Sequence, residues 1–89
     1  MIYFVYILYS KKDDSLYVGC TTNINSRIKH HNSGSVQSTR NRRPLVVIHT
    51  EEFFDKALAF NRERFLKSLW SARFKKKIKK NYLERQQKV

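Results

Sequence analysis

The stretch LYVGCTTNINSRIKHHNSG, Leu16 to Gly34, runs from an apolar segment through a glycine and a small polar corner into a segment carrying Arg27, His30 and His31. These residue types bind anions and move protons: a guanidinium offers a planar fork of donors, and imidazole titrates nearest neutrality. Helical spacing selects which of them face inward. Ile24 and Ile28 are the segment's aliphatic residues, and positions three and seven after Ile24 fall on the stripe they define, so Arg27 and His31 are expected to point toward the core. An arginine that lays its stem on apolar surface and lifts its head into water fits the same pattern, and the sequence holds the two readings equal. Glu63 stands four residues after Ala59 and three before Leu66, at the border of a later apolar helix face. A surface ion pair with Lys56, Lys67 or a nearby arginine is its plain alternative. Tyr6 and Tyr17, each inside an apolar run, read on their own as core residues with satisfied hydroxyls.

Composition narrows the partner. The chain has 89 residues, with 19 Lys and Arg against 7 Asp and Glu, a formal charge of +12. A field of that sign points to a polyanion, either nucleic acid or an anionic membrane. The apolar start MIYFVYILY is too short to span a bilayer, which needs about 20 residues, and no basic region precedes it as a secretory signal requires. Cys20 has no partner for an intramolecular disulfide, and with His30, His31 and His49 it lacks the paired spacing of a zinc site. A reducing cytoplasm is the expected location.

The elements that must position these groups can be read in order. Ile2 to Tyr9 is uniformly β-branched, aromatic or aliphatic, as in a central strand covered on both faces. SKKDDS makes a polar turn and LYVGC a second strand, together a hairpin. An even loop places Tyr6 and Tyr17 on one face and an odd loop separates them. Asn23 is the expected N-cap and Gly34 the expected C′ residue of a helix of about three turns. Ser33 to Arg43, with Arg40, Arg42 and Arg43, reads as an exposed basic loop. PLVVIHT is a third strand, with Pro44 first, where a missing donor is harmless. Asp55 is expected to cap a helix with Leu58, Phe65, Leu66 and Leu69 on its apolar face, and Ser71 to cap a last helix. There Phe74, Ile78 and Tyr82 form a thin seam amid Arg73, Lys75, Lys76, Lys77, Lys79 and Lys80, too narrow for firm membrane insertion. One domain over 1–82 with a frayed tail over 83–89 follows.

Together these fragments resemble the GIY-YIG nuclease superfamily, specifically its small single-domain members, which are similar to the N-terminal nuclease module of the excision-repair endonuclease. The resemblance rests on VY in the first strand, YVG in the second, an arginine eight residues after that glycine and a helix glutamate after the third strand. HNSG, RRPLVVIHTEEF and ALAFNRERFLKSL add to it, so that it runs from Tyr3 to about Lys80. It implies an α+β fold with a central three-stranded antiparallel sheet flanked by helices, a divalent metal (Mg²⁺ or Mn²⁺) and hydrolysis of phosphodiester bonds in nucleic acid. DNA is the expected substrate, in repair or recombination. A non-catalytic nucleic-acid-binding module of the same fold is the alternative. Members often draw substrate choice from an added domain, which leaves room here for a partner protein.

The resemblance also implies roles. Tyr6 and Tyr17 match the motif tyrosines, with Tyr6 as general base by analogy, and Gly19 matches the motif glycine. Arg27 matches the catalytic arginine, whose guanidinium can hold two nonbridging phosphate oxygens at once. His31 sits where members carry His or Tyr, and is chemically the simpler base or relay. Glu63 matches the metal-binding glutamate, and one carboxylate suffices for Mg²⁺, which keeps several of its waters. Arg40, Arg42, Arg43, Lys75, Lys76 and Lys79 are expected to contact phosphates. Two departures stand out: Phe4 replaces the first-motif glycine, and Cys20 stands where the repair module carries a lysine.

Overall fold

The computed structural model describes residues 1–87. Three strands and three helices follow in the order β1 (Tyr3–Ser10), β2 (Leu16–Thr21), α1 (Ile24–Asn32), β3 (Leu45–Phe53), α2 (Lys56–Lys67) and α3 (Ala72–Gln87). Short 3₁₀ turns occur at Arg40–Arg42 and Leu69–Ser71. The sheet is antiparallel throughout with strand order β2-β1-β3, so the most apolar strand is central, and Val5 to Ser10 are all buried. This is the α+β, three-stranded arrangement expected from the sequence.

Strand alternation divides the core between the two faces of the sheet. Val5, Ile7 and Val18 pack with Ala59 and Leu66 of α2, and with Phe74 and Ile78 of α3. On the opposite face Tyr6, Leu8 and Leu45 pack with Tyr17, Ile24, Ile28 and Val47. The hairpin register pairs Tyr6 with Gly19 and Leu8 with Tyr17, which puts both tyrosines on the α1 face.

Asn23 caps α1 as expected, its Oδ1 accepting from the Ser26 N–H at 3.0 Å. Gly34, just past the helix, has φ +87, the left-handed conformation that a side chain would strain. Asn32 does a further job. Its amide donates to the Leu45 carbonyl at 2.9 Å and accepts from the Leu45 N–H at 2.8 Å, tying the end of α1 to the start of β3. Asp55 caps α2 by accepting from Ala57 N and Leu58 N.

The inner stripe of α2 differs from the expected one. Leu58 is 58% exposed and Leu69 is 92% exposed and outside the helix, whereas Ala59 and Leu66 are fully buried, with Arg62 and Glu63 between them. Hydrophobic type alone favours the longer leucine, but it is Ala59 that packs on Val5, Ile7 and Val18 of the sheet. Arg62 is accommodated there by a bidentate pair with Glu51 (2.7 and 3.0 Å) and by the rings of Phe65 and Phe74. His49 completes this cluster, 2.8 Å from Glu51. Ser71 is not used as an N-cap, because its hydroxyl donates back to the Leu66 and Ser68 carbonyls, each at 2.9 Å. The last helix continues to Gln87, beyond the expected domain end at residue 82; of the expected tail, residues 88 and 89 lie outside the described residues.

Gly19 carries a specific packing constraint. A Cβ built there would overlap the Tyr6 hydroxyl and Cζ, so the phenol lies directly over the glycine. Gly19→Ala should cost about 1–3 kcal/mol through overpacking. A thermal melt should show a clear fall in Tm, and an unchanged Tm would mean that the Tyr6 ring relocates freely.

Candidate functional site

The site forms where β1, β2 and α1 meet. Pairing with Gly19 leaves a channel across β2 through which the Tyr6 ring extends to α1, and the helical spacing of Ile24, Arg27, Ile28 and His31 turns the two polar members toward it. Tyr6 Oη lies 3.0 Å from His31 Nε2 and accepts from Arg27 Nε at 3.4 Å. Tyr17 packs against the His31 ring edge-on, with centroids 5.0 Å apart. The inward reading of Arg27 and His31 is therefore the observed one.

A residue absent from the sequence reading completes the arrangement. Thr39 Oγ1 lies 2.9 Å from His31 Nδ1 and 3.5 Å from the Val36 carbonyl, and Thr39 is fully buried inside a loop that composition marks as solvated. Its contact with His31 joins the loop to α1 and has no periodic signature. One set of directions gives every proton an acceptor: Arg27 Nε–H donates to Tyr6, Tyr6 O–H to His31 Nε2, His31 Nδ1–H to Thr39, and Thr39 O–H to Val36. With the imidazole reversed, the phenol proton would have no partner. No buried side-chain polar atom among the described residues lacks a hydrogen-bond partner.

Burial sets the protonation of this chain. His31 is 0% exposed and Tyr6 1% exposed. Burial raises the Tyr6 phenol above its ordinary value, outweighing the hydrogen bond and positive charge of Arg27, which pull it down. His31 is pushed down to about 4, first by burial and then by the charges of Arg27 and His30. The resting pair is thus a neutral phenol donating to a neutral imidazole. Arg27 is held even more firmly charged, chiefly by its bond to Tyr6.

Glu63 reaches this region from the other side of the sheet, since α2 packs on the face opposite α1. Burial raises both the Cys20 thiol and the Tyr6 phenol, and the Glu63 charge adds to each shift, as the second cause at Cys20 and the least at Tyr6. The carboxylate pairs with Lys67 at 3.0 Å, one turn further along α2, and both line an open depression of about 350 Å³ with Phe60 and Arg64. Among the described residues no three His, Cys, Asp or Glu side chains cluster as a cage for a metal. A single hard oxygen donor beside open solvent nevertheless suits Mg²⁺, which retains most of its waters.

The basic residues divide between locations. Arg40 Nε donates to the Gly34 carbonyl and Arg43 Nε to the Arg40 carbonyl, both at 2.9 Å, so each arginine braces the loop. Arg42 lies 3.8 Å from Asp13. Lys79 is drawn onto Asp14 at 2.7 Å, whereas Lys76 is exposed and Lys75 half-buried. The α3 lysines belong to the sheet face opposite the Tyr6 site.

Comparison with known proteins supplies the family. The model of the GIY-YIG catalytic domain matches residues 2–83. The chain belongs to the GIY-YIG family. A UPF0213 protein of Natronomonas pharaonis is 42% identical over 72 residues, covering 80% of this chain and 84% of the relative. A UPF0213 protein of Clostridium perfringens is 45% identical over 67 residues, covering 74% and 71%. The solution NMR structure of a UPF0213 protein from Bacillus halodurans superposes with a TM-score of 0.55 at 40% identity, covering 88% of this chain and 82% of that one. The GIY-YIG nuclease family acts on nucleic acid and is generally dependent on a divalent metal. No helix among the described residues is long and apolar enough to cross a membrane.

The buried imidazole of this GIY-YIG domain should be visible in its pH dependence. His31 titrates near 4 folded and at its ordinary 6.5 unfolded, so the unfolded chain takes up the proton first. The associated stability is complete above pH 6.5 and is lost as pH falls toward 4, about 3 kcal/mol in all. Denaturant melts across this window should show that slope in the parent and a flatter one in His31→Gln. Equal slopes would mean that His31 is not buried neutral.

Proposed function

We propose that this GIY-YIG domain is a metal-dependent endonuclease that hydrolyses DNA phosphodiester bonds, with Mg²⁺ or Mn²⁺ as its metal, in repair or recombination of DNA. The observation that carries this reading is the convergence of Arg27, Tyr6, Tyr17 and His31 at one corner of the sheet, with the arginine donating onto the phenol. A divalent metal at Glu63 would polarise the phosphate and stabilise the leaving oxygen. Glu63 anchors it by charge. Arg27 binds nonbridging oxygens through its fork, and in turning toward a phosphate it leaves Tyr6 Oη, which it now covers. Tyr6 presents its oxygen to the attacking water. His31 accepts the phenol proton at Nε2, and Thr39, by accepting from Nδ1, keeps the Nε2 lone pair aimed at Tyr6. Tyr17 holds the imidazole ring in place. The arginines of the 33–43 loop and the outer lysines of α3 supply phosphate contacts that do not read bases.

A second reading has its own support. The phenol is almost wholly covered and its proton is held more tightly than usual, and Glu63 is already paired with Lys67. These features suit a nucleic-acid-binding module in which cleavage is vestigial or waits on a partner protein. Incubation with linear and branched DNA, with and without Mg²⁺ or Mn²⁺, separates the two readings: metal-dependent nicks support the nuclease, retention without nicks the module.

Two substitutions sharpen the comparison. Glu63→Gln should stay folded in a thermal melt, bind DNA at least as tightly as the parent because a negative charge has gone, and lose metal-dependent nicking. Parent-like nicking across a metal titration would remove Glu63 as the anchor. Arg27→Lys keeps the charge but loses the bidentate fork, so single-turnover cleavage should fall by roughly tenfold or more beyond any loss of binding. A lysine variant that cuts at the parental rate would reduce Arg27 to a cover for Tyr6.

A further inference from the structure

Helix α2 displays an aromatic ring beside the proposed metal anchor. Phe60 is 46% exposed, and with Glu63, Arg64 and Lys67 it lines the open depression on this helix. These four positions follow the i, i+3, i+4, i+7 spacing of a single helical face, one residue around from the buried Ala59 and Leu66. Lys56 Nζ stands 5.3 Å from the centroid of the same ring.

One exposed phenylalanine says little, since much of any protein surface is apolar. Its neighbours say more. The ring is surrounded by Lys56, Arg64 and Lys67 and by one carboxylate, so an apolar protein segment laid over it would have to desolvate several charges. A nucleotide meets no such obstacle, because its base offers a flat π face to the ring and its phosphates meet the cations. The ring must meet a base face, and the faces of bases inside a duplex are covered by their stacked neighbours.

We infer that Phe60 is a stacking platform for an unpaired DNA base, flanked by Lys56, Arg64 and Lys67 as phosphate contacts. Glu63 lies one turn away at i+3, where side-chain origins are about 5–6 Å apart. On the nuclease reading, the stacked base then belongs to a nucleotide next to the phosphate that a divalent metal held by Glu63 would engage. The favoured substrate is then DNA with an unpaired nucleotide at the cut, such as a flap, branch or single strand, rather than continuous duplex. This assignment of substrate rests on the nuclease reading, but the stacking itself does not.

The test is accordingly made without added metal and in the presence of EDTA, where binding is read and no cleavage is required. The probes are an oligothymidylate, a chain of the same length built from abasic residues, and a blunt duplex. The parent should prefer the oligothymidylate to the abasic chain. Phe60→Ala should weaken oligothymidylate binding by about 5-fold or more, the lower end of base–aromatic stacking, while leaving the abasic chain and the duplex unchanged. Phe60→Leu, which keeps apolar bulk without a π face, should behave like the alanine variant. In a Trp70→Phe background, which removes the native tryptophan, Phe60→Trp should restore affinity and show indole fluorescence quenched by oligothymidylate but not by the abasic chain. Parental affinity for oligothymidylate in Phe60→Ala, or equal losses on all three probes, would overturn the platform. A parent that never nicks DNA would instead remove the nuclease reading and leave this binding result standing.

Discussion

Tyr6 and Gly19 face each other across the β1–β2 hairpin, and the absence of a side chain at Gly19 is what lets the phenol lie flat over β2 and reach α1. With any side chain at 19 the ring would have to lift. Its hydroxyl would then leave both His31 Nε2 and Arg27 Nε, and two groups of a buried chain would lose their partner. An unpaired buried donor or acceptor costs about 1–3 kcal/mol, so the hairpin register and the site geometry stabilise each other. The same contact keeps His31 buried and neutral, because the ring is closed in between Tyr6, Tyr17 and Thr39.

The burial that orders this chain also sets its chemistry. Removing a phenol and an imidazole from water favours the neutral form of each, which raises the first and lowers the second, and the nearby guanidinium opposes one shift and reinforces the other. In the resting protein the two groups are therefore poor partners for proton transfer. On the nuclease reading proposed above, a divalent cation near the phenol would supply the further positive charge that eases its deprotonation.

The two faces of the sheet divide the work. The α1 face carries the polar chain, while α2 and α3 cover the other face with Ala59, Leu66, Phe74 and Ile78, and with the Glu51–Arg62 pair between aromatic rings. Glu63 stands where these halves meet, on the apolar side in sequence terms but close enough for its charge to reach Tyr6 and Cys20. A chain of +12 disperses its cations over both faces, and several are used structurally, such as Arg43 on the Arg40 carbonyl and Lys79 on Asp14. A basic residue in such a protein is thus a phosphate contact and a brace in different measure at each position.

Local rules determined much of this in advance. The uniform apolar character of β1 placed it centrally, Asn23 and Asp55 marked two helix starts, and helical spacing put Arg27 and His31 on the stripe of Ile24 and Ile28, because each depends on residues a turn or a strand apart; whether the Arg27 head turned in or out was left to the fold. The parity of one hairpin loop was all that stood between the sequence and the shared face of Tyr6 and Tyr17. Thr39, Asn32 and the Glu51–Arg62 pair were illegible, since their partners are 8 to 13 residues away across turns with no fixed period. The choice of Ala59 over Leu58 for the inner face of α2 was also decided in three dimensions, by which side of the helix the sheet meets. The types of the reactive groups are thus a property of the sequence, whereas their protonation and mutual aim come from burial, which exists only once the sheet and helices have closed around them.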